Sequence, residues 1–172
     1  MIKFDEMSRA SFPDVRPLFD RLLTESKKLY KKRLVSLAIF GSHAGKRKSP
    51  NSDIDILVVA EGLSRRRLAR VREFDKIEEA LEGDLRKLGQ LGINTYFSPI
   101  FKTPEEVKRG SLLFLDMVYD VLILYDKDSF FSNYLNDFKK RLEKLGARRV
   151  RRGEKWYWIL KPDYKPGETF EI

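Results

Sequence analysis

Residues 37–59 constrain this chain more than any other stretch. Two apolar runs, Leu37-Ala38-Ile39-Phe40 and Ile56-Leu57-Val58-Val59, are joined by a Gly-Ser turn, a basic and polar loop, and a pair of aspartates. Short apolar runs bounded by turn residues read as buried strands. The turn Gly41-Ser42 closes the first strand, and Asp53-Ile54-Asp55 opens the second. Side chains alternate across a strand, so Asp53 and Asp55 point the same way. Two carboxylates aimed at one point repel each other unless a cation joins them. A glycine beside them lets the backbone come close to an anion, since no Cβ stands in the way. The pattern predicts a site for a divalent cation and a phosphate.

Around this unit the other elements follow from spacing. Ser11 and Pro13 mark a helix start, and Leu18, Phe19, Leu22, Leu23, Leu29 and Tyr30 recur at helical intervals after it. Ser64 is expected to cap a long second helix whose apolar stripe runs Leu68, Val71, Phe74, Ile77, Leu81, Leu85 and Leu88, with its arginines mostly off that stripe and Gly89 and Gly92 at its end. A third strand is expected over 93–101. Thr103-Pro104-Glu105-Glu106 has the form of a capping box. The stretch 112–125 starts as helix, and Val121 to Tyr125 can be strand. A helix over 129–145 and a hairpin over 147–160 complete the chain, with an extended arm after them. The fold class expected is α/β (α+β): a small mixed sheet with helices packed on one face. Residues 1–102 form its core with an N-terminal helix, and 103–172 form a helical and hairpin extension packed on it.

Bulk properties narrow the partners. The 172 residues contain no cysteine, which excludes disulfides and thiolate metal sites, and the net charge is +9. That charge is uneven: residues 139–155 hold nine basic side chains against two acidic ones, and Arg65, Arg66, Arg67, Arg70 and Arg72 form a second cluster. Such clusters are either solvated faces or polyanion sites. No apolar run approaches the roughly 20 residues that span a bilayer, and the N-terminus lacks the apolar region of a signal peptide, so no membrane association and a cytoplasmic location are expected.

The Gly41-Ser42 turn, the ten residues that follow, Asp53-Ile54-Asp55 and the apolar strand after them resemble the signature of the DNA polymerase β-like nucleotidyltransferase superfamily. The similarity is to its minimal nucleotidyltransferase branch, in an archaeal type with a C-terminal extension. That extension is similar around Trp156-Tyr157-Trp158 and Lys161-Pro162-Asp163-Tyr164. The resemblance implies transfer of a nucleoside monophosphate from an NTP to an acceptor hydroxyl on a protein, an RNA or a small molecule. It implies Asp53 and Asp55 as catalytic carboxylates holding Mg²⁺ or Mn²⁺, and Gly41, Ser42, Ser52 and Lys46 as nucleotide-binding residues. A HEPN-type toxin is an implied protein partner.

Two departures accompany it. The superfamily usually carries a third acid on the strand after the long helix, and Asn94 falls at that position here. An amide can ligate a metal but cannot act as a carboxylate base. Asp116 or Asp120 would substitute only if the following helix folds back. Where the family often has Arg and Gly after the serine, this chain has Ala44 and Lys46, with Gly45 one place early. Lys46, Arg47 and Lys48 can meet the triphosphate tail or face solvent. His43, the only histidine, is either a hydrogen-bonding neighbour of the site or part of its chemistry. The alternative function is therefore a catalytically weak or inactive nucleotide- or RNA-binding regulatory module on the same fold. Its RNA contact would be the basic hairpin, where Trp156, Tyr157 and Trp158 either stack on bases or pack the core.

Overall fold

The computed structural model describes residues 15–44, 52–153 and 155–172. The helix start at Ser11 and Pro13, and the loop residues Lys46, Arg47 and Lys48, lie outside the described residues.

Helix α1 (Arg16–Tyr30) leads through a single 3₁₀ turn into strand β1 (Leu34–Phe40). Strand β2 (Ile54–Ala60), helix α2 (Arg67–Gln90) and strand β3 (Phe97–Lys102) follow. Short helices α3 (Pro104–Lys108) and α4 (Phe114–Met117) precede strand β4 (Val121–Asp126) and helix α5 (Phe130–Lys144). A hairpin of β5 (Arg148–Arg152) and β6 (Lys155–Ile159) stands apart as a second sheet. The main sheet has the order β3-β2-β1-β4, so β3 and β4 are its edges. Strand β1 runs antiparallel to both β2 and β4, while β2 and β3 are parallel. Parallel neighbours need a long crossover, and α2 supplies it.

Alternation along the strands divides the core in two. Leu37, Ile39, Ile56 and Val58 pack under α1 and α2, against Leu22, Phe74, Ile77 and Leu81. Ala38, Leu57 and Val59 face the other way, toward Phe114, Met117, Phe131 and Phe138. The two core helices thus share one face, as the sequence predicts, and the chain after residue 102 covers the opposite face and adds β4 to the sheet. Phe131 and Phe138 are almost fully buried there, each contributing about 1.5–3 kcal/mol relative to exposure. That burial ties the C-terminal segment firmly to the sheet.

Several starts differ from expectation. Helix α2 begins at Arg67 with no side-chain cap; Ser64 instead accepts a hydrogen bond from the Arg66 N–H at 3.2 Å, one turn earlier. Leu68 is 72% exposed while Arg70 is only 8% exposed. The cause is the helical step of about 100° per residue, which brings position 70, not 68, into line with 74, 77, 81 and 88. Helix α5 is capped by Asp126 rather than Ser129. Its carboxylate accepts from the Phe131 and Ser132 N–H groups, each at 2.9 Å, and from the Ser36 hydroxyl at 2.7 Å. Burial works against ionisation of Asp126, but these hydrogen bonds, that of the Ser132 hydroxyl foremost, hold its carboxyl below the usual range.

Buried Arg70 joins three elements. Its guanidinium donates in parallel to Glu106 Oε2 and Oε1 at 2.7 and 2.8 Å, and to the Phe101 carbonyl at 3.1 Å. Glu106 also accepts from the Thr103 N–H at 2.9 Å while its own N–H donates to Thr103 Oγ1, which completes the expected capping box. The Arg70 hydrogen bonds draw the Glu106 carboxyl down from 4.5 to about 2. A carboxylate whose folded pKa is depressed adds stability above its unfolded value, and that stability fades as pH falls toward the folded one. The urea midpoint of the wild type is therefore expected to drop between pH 4.5 and about 2 more steeply than that of Glu106→Gln. Glu106→Ala, which strands Arg70 in the core, is expected to cost about 3 kcal/mol in the same measurement.

Candidate active site

The antiparallel register sets Phe40 opposite Asp55, so the turn after β1 lies against the start of β2. Gly41 opens that turn at φ +67°, and Gly41–His43 form a single 3₁₀ turn. A Cβ on Gly41 would fall 2.3 Å from Asp55 Oδ2. Glycine takes this φ without strain, and any Cβ here would have to displace the Asp55 carboxylate.

Asp53 immediately precedes β2 and Asp55 is its second residue, on the face that carries Leu57 and Val59. Both are half-buried. Burial pushes the Asp55 carboxyl above its ordinary value; a hydrogen bond from Ser98 opposes this, the neighbouring Asp53 adds to it, and His43 opposes it again. A carboxylate disfavoured by burial and by a like charge is one that a cation would relieve.

The turn is braced to the strand by short contacts. Ser42 Oγ donates to Ser52 Oγ at 2.8 Å, and the Ser52 carbonyl accepts from Thr95 Oγ1 at 2.8 Å. His43 Nδ1 donates to the Asp53 carbonyl at 3.0 Å, which fixes the proton on that nitrogen. Gly41, Ser42, Ser52, Asp53 and Asp55 are thus brought together, with His43 as a strut between turn and strand. Lys46 lies outside the described residues.

Asn94 is not brought to them on a strand. Strand β3 begins at Phe97, and Asn94 is exposed ahead of it, its side-chain oxygen against Gly89 at the end of α2. The residues of this segment that reach the pair are Tyr96 and Ser98. The parallel register sets Ser98 beside Asp55, and the Ile54 N–H donates to the Tyr96 carbonyl at 2.9 Å. The Ser98 hydroxyl hydrogen-bonds to Asp55 and the Tyr96 phenol to Asp53, which raises the phenol above its ordinary value. Asn94, Tyr96 and Ser98 share one parity, so alternation alone fits all three. Counting back from the Ser98–Asp55 pairing would have singled out the two hydroxyls.

Neither Asp116 nor Asp120 supplies a third carboxylate. Arg149 holds Asp120 at 2.7 Å and Asp116 at 3.5 Å, and Trp158 Nε1 donates to Asp116 at 3.0 Å. Among the described residues no group of three acidic, histidine or cysteine side chains is arranged to hold a metal ion. The donor set that exists, two carboxylates beside a glycine cradle, suits Mg²⁺ or Mn²⁺, which complete their shells with phosphate and water.

Two outcomes follow from this geometry. Gly41→Ala is expected to keep the far-ultraviolet circular dichroism of the wild type while lowering its thermal midpoint by about 2–4 °C, because the new methyl sits at positive φ and displaces the Asp55 carboxylate. Asp55→Asn removes the disfavoured charge and is expected to raise the thermal midpoint of the metal-free protein by about 2–4 °C, the shift for roughly 1 kcal/mol in a chain this size.

A model of the nucleotidyltransferase domain matches residues 19–110, a stretch that contains the turn, both aspartates, Tyr96 and Ser98. The chain is 30% identical over 130 residues to MJ1305 of Methanocaldococcus jannaschii, a protein named as a candidate protein adenylyltransferase; the match covers 74% of this chain and 83% of that one. Among solved structures, a toxin–antitoxin complex with AMP-PNP is 16% identical, with 74% of this chain and 92% of that chain covered at a TM-score of 0.43. Spectinomycin adenyltransferase AAD(9) from Enterococcus faecialis, with ATP and spectinomycin, is 17% identical, with 76% and 68% covered at a TM-score of 0.43. With more than half of its length matched by the domain model and a relative of this similarity, the chain belongs to the nucleotidyltransferase domain family.

Proposed function

We propose that this protein transfers a nucleoside monophosphate from an NTP to a hydroxyl group of another protein, with Asp53 and Asp55 holding Mg²⁺. The observation that supports the reading is the Asp55 carboxylate seated where a Cβ on Gly41 would fall, with the Asp53 charge near enough to act on it. Bound there, the ion would neutralise the charge that builds on the phosphoryl oxygens during in-line displacement. Gly41 lets the backbone of the turn approach the triphosphate, and Ser42 offers a hydroxyl already braced by Ser52. Ser98 and Tyr96 orient the two carboxylates by donating to them, and leave their remaining oxygen lone pairs for ligands. Lys46 is proposed to meet the triphosphate tail. The name of the Methanocaldococcus relative supports a protein acceptor. A HEPN-type toxin is the proposed partner. Residues 1–102 serve as the catalytic core in this reading, and 103–172 as the wall against which the acceptor docks. A cytoplasmic location is proposed with it, since that is where an NTP donor is available. No helix among the described residues is long and apolar enough to cross a membrane.

One observation favours a second reading. The strand beside the pair presents hydroxyls rather than an acid. A hydroxyl at neutral pH does not take the acceptor's proton as a carboxylate does. A regulatory module that binds nucleotide or RNA with little turnover fits that arrangement. There the exposed Trp156 and Tyr157, with Arg149 and Arg151 over the Trp156 ring at 4.8 and 5.8 Å, would form the RNA face.

Incubation with each α-labelled NTP, Mg²⁺ and lysate protein separates the two. Transfer is expected to label a protein band, to vanish with EDTA, and to fall at least a hundredfold in Asp53→Asn and Asp55→Asn. Absence of label with all four nucleotides, with Asp53→Asn binding ATP as tightly as wild type, leaves the regulatory reading.

A further inference from the structure

A second charged site lies at the far end of β3. Where β2 ends and α2 begins, β3 also ends and α3 begins. Two adjoining cavities of about 370 and 460 Å³ open there, sharing Arg65, Arg70 and Glu106 as walls. Arg67 and Lys102 complete the first, and Arg109 and Glu105 border the second. Five cations therefore surround two carboxylates. Arg70 is committed to Glu106. Arg65, Arg67, Lys102 and Arg109 make no salt bridge among the described residues. Lys102 and Arg109 act on Glu106 and Glu105 only through longer-range attraction.

Positive charges gathered in a concave, partly apolar pocket repel one another and focus a field on what enters it. The start of α2 strengthens that field: its first turn has no acidic residue and no side-chain cap, and it places Arg66 and Arg67 at the positive end of a 24-residue helix. The Arg70–Glu106 pair gives the pocket a rigid floor, because its guanidinium is also anchored on the Phe101 and Ser64 carbonyls. Net of Glu105 and Glu106 the cleft carries three positive charges, which a dense anion matches. A lone carboxylate brings one charge, whereas a phosphate chain brings several and matches the planar fork of arginine. The first cavity's wall runs along β3 from Pro99, but the cation that β3 contributes lies apart from the carboxylate pair. Ser98 faces Asp55, Lys102 is four residues farther along β3, and at ~3.3 Å per residue the separation is about 13 Å.

We propose that this cleft is a metal-independent phosphate site, which holds the phosphate backbone of an RNA strand or a free polyphosphate beside the nucleotidyl-transfer face. It stands independently of the function proposed above. The test measures binding of tripolyphosphate by calorimetry, and of a fluorescein-labelled single-stranded oligoribonucleotide by anisotropy, to the full chain in EDTA. The wild type is expected to bind at least one of them. Arg65→Ala/Arg67→Ala/Lys102→Ala removes exposed or half-buried side chains and leaves Arg70 and Glu106 in place; it is expected to weaken that binding at least tenfold. For RNA, the slope of log affinity against log salt is expected to fall by about 2, since three contacts on a single strand contribute ~0.7 each. Lys139→Ala/Lys140→Ala/Lys144→Ala on α5 removes the same charge and is expected to change neither. RNA bound well and tripolyphosphate poorly identifies a strand backbone; tripolyphosphate bound as tightly as RNA identifies a free polyphosphate. The proposal is overturned if the cleft variant binds both ligands like wild type, if the wild type binds neither, or if polyglutamate competes as well as they do. Asp55→Asn is expected to leave this binding intact, so the failure of either proposal is read separately from the other.

Discussion

The pairing of Phe40 with Asp55 across β1 and β2 decides most of what this molecule can do. It presses the glycine turn against a carboxylate so closely that a single added carbon would collide with it. It also fixes which face of the sheet carries the acids. A slip by one residue would send Asp53 and Asp55 into the core beneath α1 and α2, where Ile54 and Ile56 now sit. The apolar pattern of the two strands forbids that slip. Core packing and site geometry are therefore specified by the same alternation.

A second joint acts at the other end of the sheet. Arg70 reaches from α2 to the last residues of β3 and to the cap of α3, so three elements that meet only at their ends are held by one guanidinium. Buried ion pairs of this kind add little net energy against an apolar replacement but are costly to break on one side. Their value here is positional. The joint sets where β3 stops, and β3 carries both Ser98 near the acids and Lys102 in the basic cleft.

Much of this was legible in the sequence, and the failures have physical causes. The strand–turn–strand unit, the aspartate pair and the Thr103 capping box follow from spacing, because each depends on neighbours close in sequence. The hairpin follows on the same basis, whereas spacing leaves residues 121–125 only as a candidate strand, which the sheet realises. Asn94 was favoured because counting from the end of α2 starts the strand too early; only the tertiary register with β2 shows that Tyr96 and Ser98 stand by the acids. The apolar stripe read from spacing includes Leu68 and not Arg70, because the pattern counts apolar side chains, although the helical angle of Arg70 lies within the buried face. The capping of α5 by Asp126 was hidden because Asp128 and Ser129 adopt positive φ, and this folds the chain back over a carboxylate several residues upstream.

Strand β3 is an outer strand of the main sheet, and its free side has no continuous row of backbone partners to offer. Pro99 provides no N–H, and the Phe101 carbonyl is already taken by Arg70. An extended segment from another molecule would find the ladder interrupted at Pro99 and at the Phe101 carbonyl. The contacts that shape the basic cleft thus also blunt this edge against pairing with another chain.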